Sequence, residues 1–460
     1  MSMSISLNTA AQALLAQQMA VDTTSHNISN ASTVGYSRQR VSFEAMPGSY
    51  VADGQPHPGY GVGVTDISRI RDIFIEFQLR GQMSSGAQYD TQLQSLAGIE
   101  SVMGEPGDAG FRAALDQFFN AWRDLSNNPE SGPARIAVLE AGKTLATNAN
   151  RLGSALVQQR TEANTRIAAS ITEVNTLASQ IAKLNEQIVP LKISGTSTGD
   201  LEDKRDLALD RLAQIMNVSY FNADDGSVEI SVGGHPLVAR NLSFALEGVP
   251  NALNANYLDV RFTGDAVPLN VLRGEMRANL DMRDSYVPAR IAELDTLVAQ
   301  VVNDVNTVHA AGYGLDGVTG RNFFTGTSAA TVAVNATIAN APNAVAASTT
   351  AGGVPGDAHN ALALADLQNV RGLAGGTQTY DEFYASLVSG IGVTVNSTKA
   401  RGEAQSLVLE QLTARREGAS GVNVDEEMVN LVKYQRAFEA ASRLVKVADD
   451  MLDTLINRMI

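Results

Sequence analysis

The sequence predicts a mainly α, elongated protein, with a long helical bundle or coiled-coil rod built from both termini, discontinuous domains and an inserted β domain. Three observations carry that expectation. Apolar residues recur at heptad spacing at both ends of the chain; no proline interrupts Ala134 to Val189; and from Val218 to about Leu272 the period changes to alternation.

At the amino end Leu7, Leu14, Val21 and Ile28 recur every seven residues, and Ala11, Gln18 and Ser25 complete the seam. At the carboxyl end Ala441, Val445, Ala448, Leu452, Leu455 and Met459 step alternately by four and three. Val424, Met428, Leu431, Gln435 and Phe438 keep the same rhythm, and the short step from Phe438 to Ala441 reads as a stammer. Seams this narrow are marginal alone. They are expected to pair with each other or with neighbouring copies, through Leu7, Leu14, Val21, Ile28, Phe438, Val445, Leu452, Leu455 and Met459.

Between the ends lie further helices. Phe111, Leu115, Phe118, Trp122 and Leu125 make one apolar stripe, closed by Asn127-Asn128-Pro129. The proline-free run to Val189 would reach roughly 80 Å as a helix, with Pro190 as its stop. Pro288 suits the first turn of another helix, whose face is Ile291, Leu294, Val298, Val301, Val305 and Val308. Thr379 and Glu382 read as a capping box for the helix carrying Phe383 and Leu387. In the middle, Val228, Ile230 and Val232 alternate with polar residues, and Asp224-Asp225-Gly226 and Gly233-Gly234 supply turns. Asn322 to about Ala347 reads as a short hairpin plus a surface loop. The resulting division is residues 1–60 with 400–460, residues 61–217 with 273–399, and an insert at 218–272. An in-and-out path would put the termini together at one end and the insert at the other.

Composition narrows the function. The chain has 460 residues, 44% of them hydrophobic but only 5% aromatic, so its cores rest on aliphatic side chains. A net charge of −15 argues against nucleic acid and against an anionic membrane as partner. The absence of cysteine rules out disulfides and thiolate metal sites. No apolar run is long enough to span a membrane, and no basic segment precedes an apolar run near the start, so no cleavable secretory signal is expected.

No catalytic or metal constellation emerges. His26, His57, His235, His309 and His359 lie outside helical spacing of one another, so surface or satisfied core roles are expected. Gly195-Thr196-Ser197-Thr198-Gly199 matches the hydrolase pattern, but a helix precedes it where a strand is required. Gly59, Gly61 and Gly63 have the wrong spacing for a phosphate cradle. Glu426/Glu427 and Asp449/Asp450 diverge around a helix, so a solvated face is expected for both pairs. Neither a cofactor nor catalysis is expected.

Residues 26–43, HNISNASTVGYSRQRVSF, resemble the amino-terminal motif of the flagellar rod-and-hook axial protein family, and residues 422–458 resemble its carboxyl-terminal motif. In the first, Asn27, Asn30 and Ser32 suit a helix end, Gly35 permits a sharp turn, and Tyr36 to Phe43 leave as a strand. The interior resembles the hook-associated protein 1 branch of that family, at residues 200–221, at Gly233 to Val238, at 274–284, and from Asn303 through His309, Gly312, Gly317 and Phe323-Phe324. The resemblance implies a structural subunit at the hook–filament junction, exported unfolded by the flagellar type III apparatus. Its expected partners are hook protein, a second junction protein on the filament side, copies of itself in a ring, and a cytoplasmic chaperone on the carboxyl-terminal helix. A hook, distal rod or second junction protein shares the ends but not this interior. The other classes are a cell-wall hydrolase, which zymography on a cell-wall gel would separate, and a surface adhesin or sensor, as a secondary role, with the β insert as its binding module.

Overall fold

The chain enters as a helix, α1 (Ser2–Ser29), and returns along it as an antiparallel hairpin, β1 (Gln39–Met46) and β2 (Gly61–Arg69). The computed structural model describes residues 2–47, 59, 61–103 and 110–458, with side chains from residue 7 to 454 among them. Three helices follow: α2 (Ile73–Met103), α3 (Phe111–Asn127) and α4 (Gly132–Ile193). α4 starts on Ser131, whose hydroxyl accepts from the Ala134 N–H, with Pro133 in the first turn. It does not stop at Pro190. The proline lacks only its own N–H, and Ser194 N–H still donates to its carbonyl, so the helix closes three residues later. Gly195, at φ +73°, then reverses the chain into α5 (Gly199–Ile215).

Strands come next: β3 (Ser219–Asn222), β4 (Val228–Val232), β5 (His235–Ala239) and β6 (Leu242–Ser243) form one antiparallel sheet in that order. β7 (Leu246–Asn251) and β8 (Tyr257–Phe262) form a separate pair. The chain then turns helical through α6 (Glu275–Asp281), a π-turn, and α7 (Val287–Ala311). β9 (Phe324–Thr325) pairs with β10 (Ala333–Val334), followed by the short α8 (Ala336–Ala339) and α9 (His359–Asp366). Two long helices close the chain, α10 (Tyr380–Ser420) and α11 (Val424–Arg458). The Thr379–Glu382 capping box forms in both directions at the start of α10.

Two apolar cores are strung along α4. One gathers the end of α2, α3, the first half of α4, α7, α9 and the start of α10 around Phe118, Phe119, Trp122, Phe323 and Phe324, all of them buried. The other packs Ile167, Val174 and Ile181 of α4 and Leu209, Leu212 and Ile215 of α5 against Val228, Ile230, Val232, Leu237 and Val260 of the strands.

Several expectations need correction. The stretch 218–272 is strand-rich, but its buried face is completed by α4 and α5, so it is not a self-contained insert. Nor does it occupy the end farthest from the termini. The turn between α4 and α5 lies against Gln39, and the aromatic core takes the distant end instead. Residues 344–347 are no surface loop: Ala344, Val345, Ala346 and Ala347 are buried, with Ala346 N–H donating to His309 Nε2 and Asn360 Nδ2 donating to Ala346 O. The unit at the termini also differs from 1–60 with 400–460. It includes β2, which pairs along all of β1, whereas residues 402–412 run with α2, where Gln405 Nε2 donates to Gln82 O.

Candidate assembly interface

α1 and α11 form a pair, with Asn27 near the end of one touching Glu427 near the start of the other, so they run antiparallel. Small and polar residues line their contact. Ala10, Ala16, Ala20, Thr23, Thr24 and Asn27 are buried on α1, and Glu427, Ala441 and Ala448 on α11. Small side chains let helix axes approach closely. The hydroxyls of Thr23 and Thr24 are satisfied within α1 by the Met19 and Ala20 carbonyls, each at 2.8 Å. The hairpin lies across the pair, bringing the Phe43 and Tyr434 rings to 6.2 Å.

The heptad rows stand beside this seam. Val21 and Ile28 directly follow buried Ala20 and Asn27, a turn of about 100° away, and with Leu14 they are half-buried. Val445 and Leu452 are half-buried on α11, while Leu7 and Phe438 each keep 37% exposure. The side chains of Leu455 and Met459 lie outside the described residues. Leu15, Met19, Leu444, Val447 and Met451 extend the apolar surface outward.

At its root the pair is fastened by polar groups that the heptad reading missed. Asn27 Nδ2 donates to Gln39 O at 2.8 Å and to Glu427 Oε2 at 2.9 Å, and Gln39 N–H donates to Asn27 Oδ1. Tyr36 OH donates to the same Asn27 oxygen at 2.7 Å and lies 3.0 Å from His26 Nδ1. Burial, with Asp200, Asp203 and Glu427 nearby, pushes the Tyr36 phenol well up, so it stays a donor. Arg38 holds both Glu426, at 3.0 Å, and Glu427, at 2.6 Å. Glu427 is therefore not on a solvated face: it is 2% exposed, because its partner Asn27 comes from 400 positions away. Glu426 is exposed and Arg38-paired; Asp449 and Asp450 are exposed as expected.

The body side of the root is α5. Asp203 accepts from Ser37 N–H at 2.8 Å and Ser37 OH at 2.7 Å. Arg69 reaches Glu202, Asp203 and Asp206, each at 2.7 Å, and Arg80 reaches Asp210 at 2.6 Å. Burial alone would raise the Asp206 carboxyl, but Arg71, Arg69 and Arg80 overcome it and hold the group at about 2. Glu76 goes the other way. Burial pushes it up despite Arg71 and Arg80, and neither of its oxygens has a hydrogen-bond partner among the described residues. Arg416 of α10 completes the cluster on Asp210 at 3.2 Å.

Among the described residues no group of three or more His, Asp or Glu side chains is placed to hold a metal ion. His309 is a core residue, with Nδ1 against Arg321 O at 2.7 Å and Nε2 accepting from Ala346 N–H. His57 lies outside the described residues. No described helix is long and apolar enough to cross a membrane.

The geometry brings Asn27 and Ser37–Gln39 together with Asp200 and Asp203 of α5 and with Glu426 and Glu427 of α11, and known families match parts of all three stretches. The model for flagella basal body rod protein matches residues 7–36, the FlgK helical domain of flagellar hook-associated protein matches 96–324, and the carboxyl-terminal region of the flagellar basal body rod FlgEFG proteins matches 418–459. Flagellar hook-associated protein 1 of Bacillus subtilis strain 168 is 30% identical, over 98% of both chains. The chain belongs to the flagellar hook-associated protein 1 family. Its Salmonella typhimurium relative is 25% identical, over 99% of this chain and all of the other. The solved flagellar hook junction protein FlgK from Burkholderia pseudomallei shares the fold, with a TM-score of 0.67 at 18% identity, covering 74% of this chain and 99% of that one. In this hook-associated protein 1 fold, the polar root could have been suspected from residues 200–210. Asp203, Asp206 and Asp210 step by three and four along one helical face, a spacing that asks for cationic partners elsewhere in the chain.

Proposed function

We propose that this hook-associated structural subunit works at the hook–filament junction by packing its terminal helix pair against hook protein, against the second junction protein on the filament side, and against copies of itself in a ring. The observation that carries the reading is the half-exposed apolar row beside the α1–α11 seam: Leu7, Leu14, Val21, Ile28, Phe438, Val445 and Leu452 are only partly covered within one chain. A larger apolar surface of this kind asks for a partner. The role is mechanical and involves no catalysis. The subunit leaves the cell unfolded through the flagellar type III apparatus and ends outside it. Before export a cytoplasmic chaperone covers the carboxyl-terminal helix, whose apolar row would otherwise aggregate.

The test is a Leu452→Asp, Leu455→Asp double change, read by chaperone pull-down beside a motility assay. Two carboxylates placed in an apolar contact cost several kcal/mol. The expected outcome is loss of chaperone binding together with loss of junction assembly, leaving hooks without filaments in electron micrographs. Normal motility from the double variant would remove the row from the interface. Lost chaperone binding with intact assembly would restrict it to the chaperone. Zymography on a cell-wall gel checks the absence of hydrolase activity.

A further inference from the structure

We infer that the groove among α2, α4 and α10 is a socket for a lysine side chain of a neighbouring protein subunit. The inference deepens the proposed function, and it rests on that reading for the neighbour's presence alone.

The groove is built wholly from the body of the chain. A cavity of about 560 Å³ lies among the three helices, with Gln214 of α5 and with Glu275 and Asn279 of α6 completing its lining. Gly86 sets its width. A Cβ there would meet Leu409 Cδ1 at 2.7 Å, so the glycine lets α10 lie close enough for Leu409 to join the wall. Met83, Ala87, Ala169 and Leu409 supply apolar lining, and all four keep some exposure.

The charged lining is short of one cation. Asp90, Glu173 and Glu275 all face the cavity. Arg211 donates from Nε to Glu173 at 2.7 Å and from Nη1 to Glu275 at 2.6 Å. Its Nη2 is shared between the same two carboxylates, at 3.0 and 3.2 Å. One guanidinium therefore serves both. Asp90 has no ion pair among the described residues. The remaining cation of the lining, Arg166, touches Ser95 Oγ at 3.5 Å and no carboxylate. Three carboxylates thus face two guanidinium groups.

Asn279 is an independent sign of a missing group. It is 3% exposed and lines the cavity. Its Nδ2 donates to Glu275 O at 2.9 Å, while its Oδ1 has no partner among the described residues. An unpaired buried oxygen is costly. A carbonyl oxygen can only accept, so the absent group must be a donor.

A lysine side chain meets each demand. Its methylene stem lies along the apolar lining, and its ammonium brings the missing charge and three donors. A guanidinium fits less well, because its planar fork asks for bidentate carboxylates, and Arg211 already holds Glu173 and Glu275 in that way. No lysine of this chain lines the groove. A lysine held by a larger contact between subunits also arrives at a high effective concentration, which a free amine does not.

The test has two arms. In the first, the isolated whole chain is titrated with N-acetyl-lysine methylamide while the amide resonances of Thr91 and Ser170, both in the lining, are followed. Both shift to saturation, whereas the norleucine analogue, which keeps the stem and lacks the ammonium, moves neither. Asn279→Leu weakens the lysine response about tenfold. Asp90→Asn, at an exposed position, weakens it about threefold and decides the matter alone if the other variant fails to fold. No shift, or equal shifts from both probes, overturns the proposal.

In the second arm, purified filaments with hooks attached are treated with a carbodiimide, which joins a carboxylate to a touching amine. The expected product links Asp90, Glu173 or Glu275 to a lysine of another subunit, and its sequence names a second copy or a different protein. Cross-links elsewhere on the chain but none from this groove overturn the proposal, even where the free probe binds. Absence of the chain from such preparations would instead sink the hook–filament reading and leave the first arm standing.

Discussion

The aromatic core and the terminal helix pair solve opposite problems. In the core, Phe118, Phe119, Trp122 and Phe323 are fully buried and packed ring on ring, with Phe118 and Phe323 centroids 5.5 Å apart. In the terminal pair the buried residues are alanines, threonines, Asn27 and Glu427, and the leucines stand half outside. The first region is complete within one chain. The second is closed by small side chains and polar fastening, and it leaves its larger apolar side chains half exposed. Heptad leucines in a single subunit therefore need not mark the seam within that subunit.

The sharpest way to break the comparison is to hollow the core. Trp122→Ala should lower stability by about 3–5 kcal/mol, measured by calorimetry, while protease protection at the root of α1 and α11 persists. Equal loss of protection at both places would show that the terminal pair leans on the core.

Acid should separate the two regions next. Burial holds His309 at about 4, below its usual 6.5, and Ala346 N–H already occupies its Nε2. A depressed folded value means the stability is present above 6.5 and is lost as pH falls toward 4, by about 3 kcal/mol. The root behaves differently. Asp206, at about 2 against an ordinary 3.8, keeps its contribution until pH falls below that ordinary value toward 2, and raised Glu76 offsets part of the loss. Melting temperature against pH should therefore decline between 6.5 and 4, and His309→Gln should flatten that decline. An unchanged slope in the variant would assign it to another group.

A smaller effect probes the fastening. Glu427→Ala leaves Asn27 and Arg38 short of a partner and should cost about 2 kcal/mol, seen as faster amide exchange at Gln39 and along the start of α11. Smallest in the free chain is Leu14→Asp. At a half-exposed position it should change stability by about 1 kcal/mol or less, yet stop junction assembly in a motility assay. A large loss of stability would mean that Leu14 serves the subunit's own packing.

Most of the helices were legible in the sequence because each signal is local. The stripe from Phe111 to Leu125 and the Thr379–Glu382 box formed as read, whereas Pro288 does not open a helix but follows directly on the π-turn that joins α6 to α7. What stayed hidden depends on distant partners. Periodicity located the strands of 218–272 but could not show that α4 and α5 complete their core. The α1–α11 seam escaped because alanine and threonine give weak periodic signals beside leucine. Glu427 and Asp203 look like ordinary surface carboxylates until Asn27, Ser37 and Arg69 arrive from remote segments.

α4 belongs to both cores, and that gives the subunit a mechanical character. Its 62 residues span about 93 Å as one unbroken helix, with Trp122 and its neighbours packed at one end and the turn that meets Gln39 at the other. It is a stiff shaft braced at two stations, and α2 and α10 run from the same root, at Asp72 and Ser420, to the aromatic core, at Met103 and Tyr380. Three long helices thus tie the root to the aromatic packing, which becomes an anchor as well as a core.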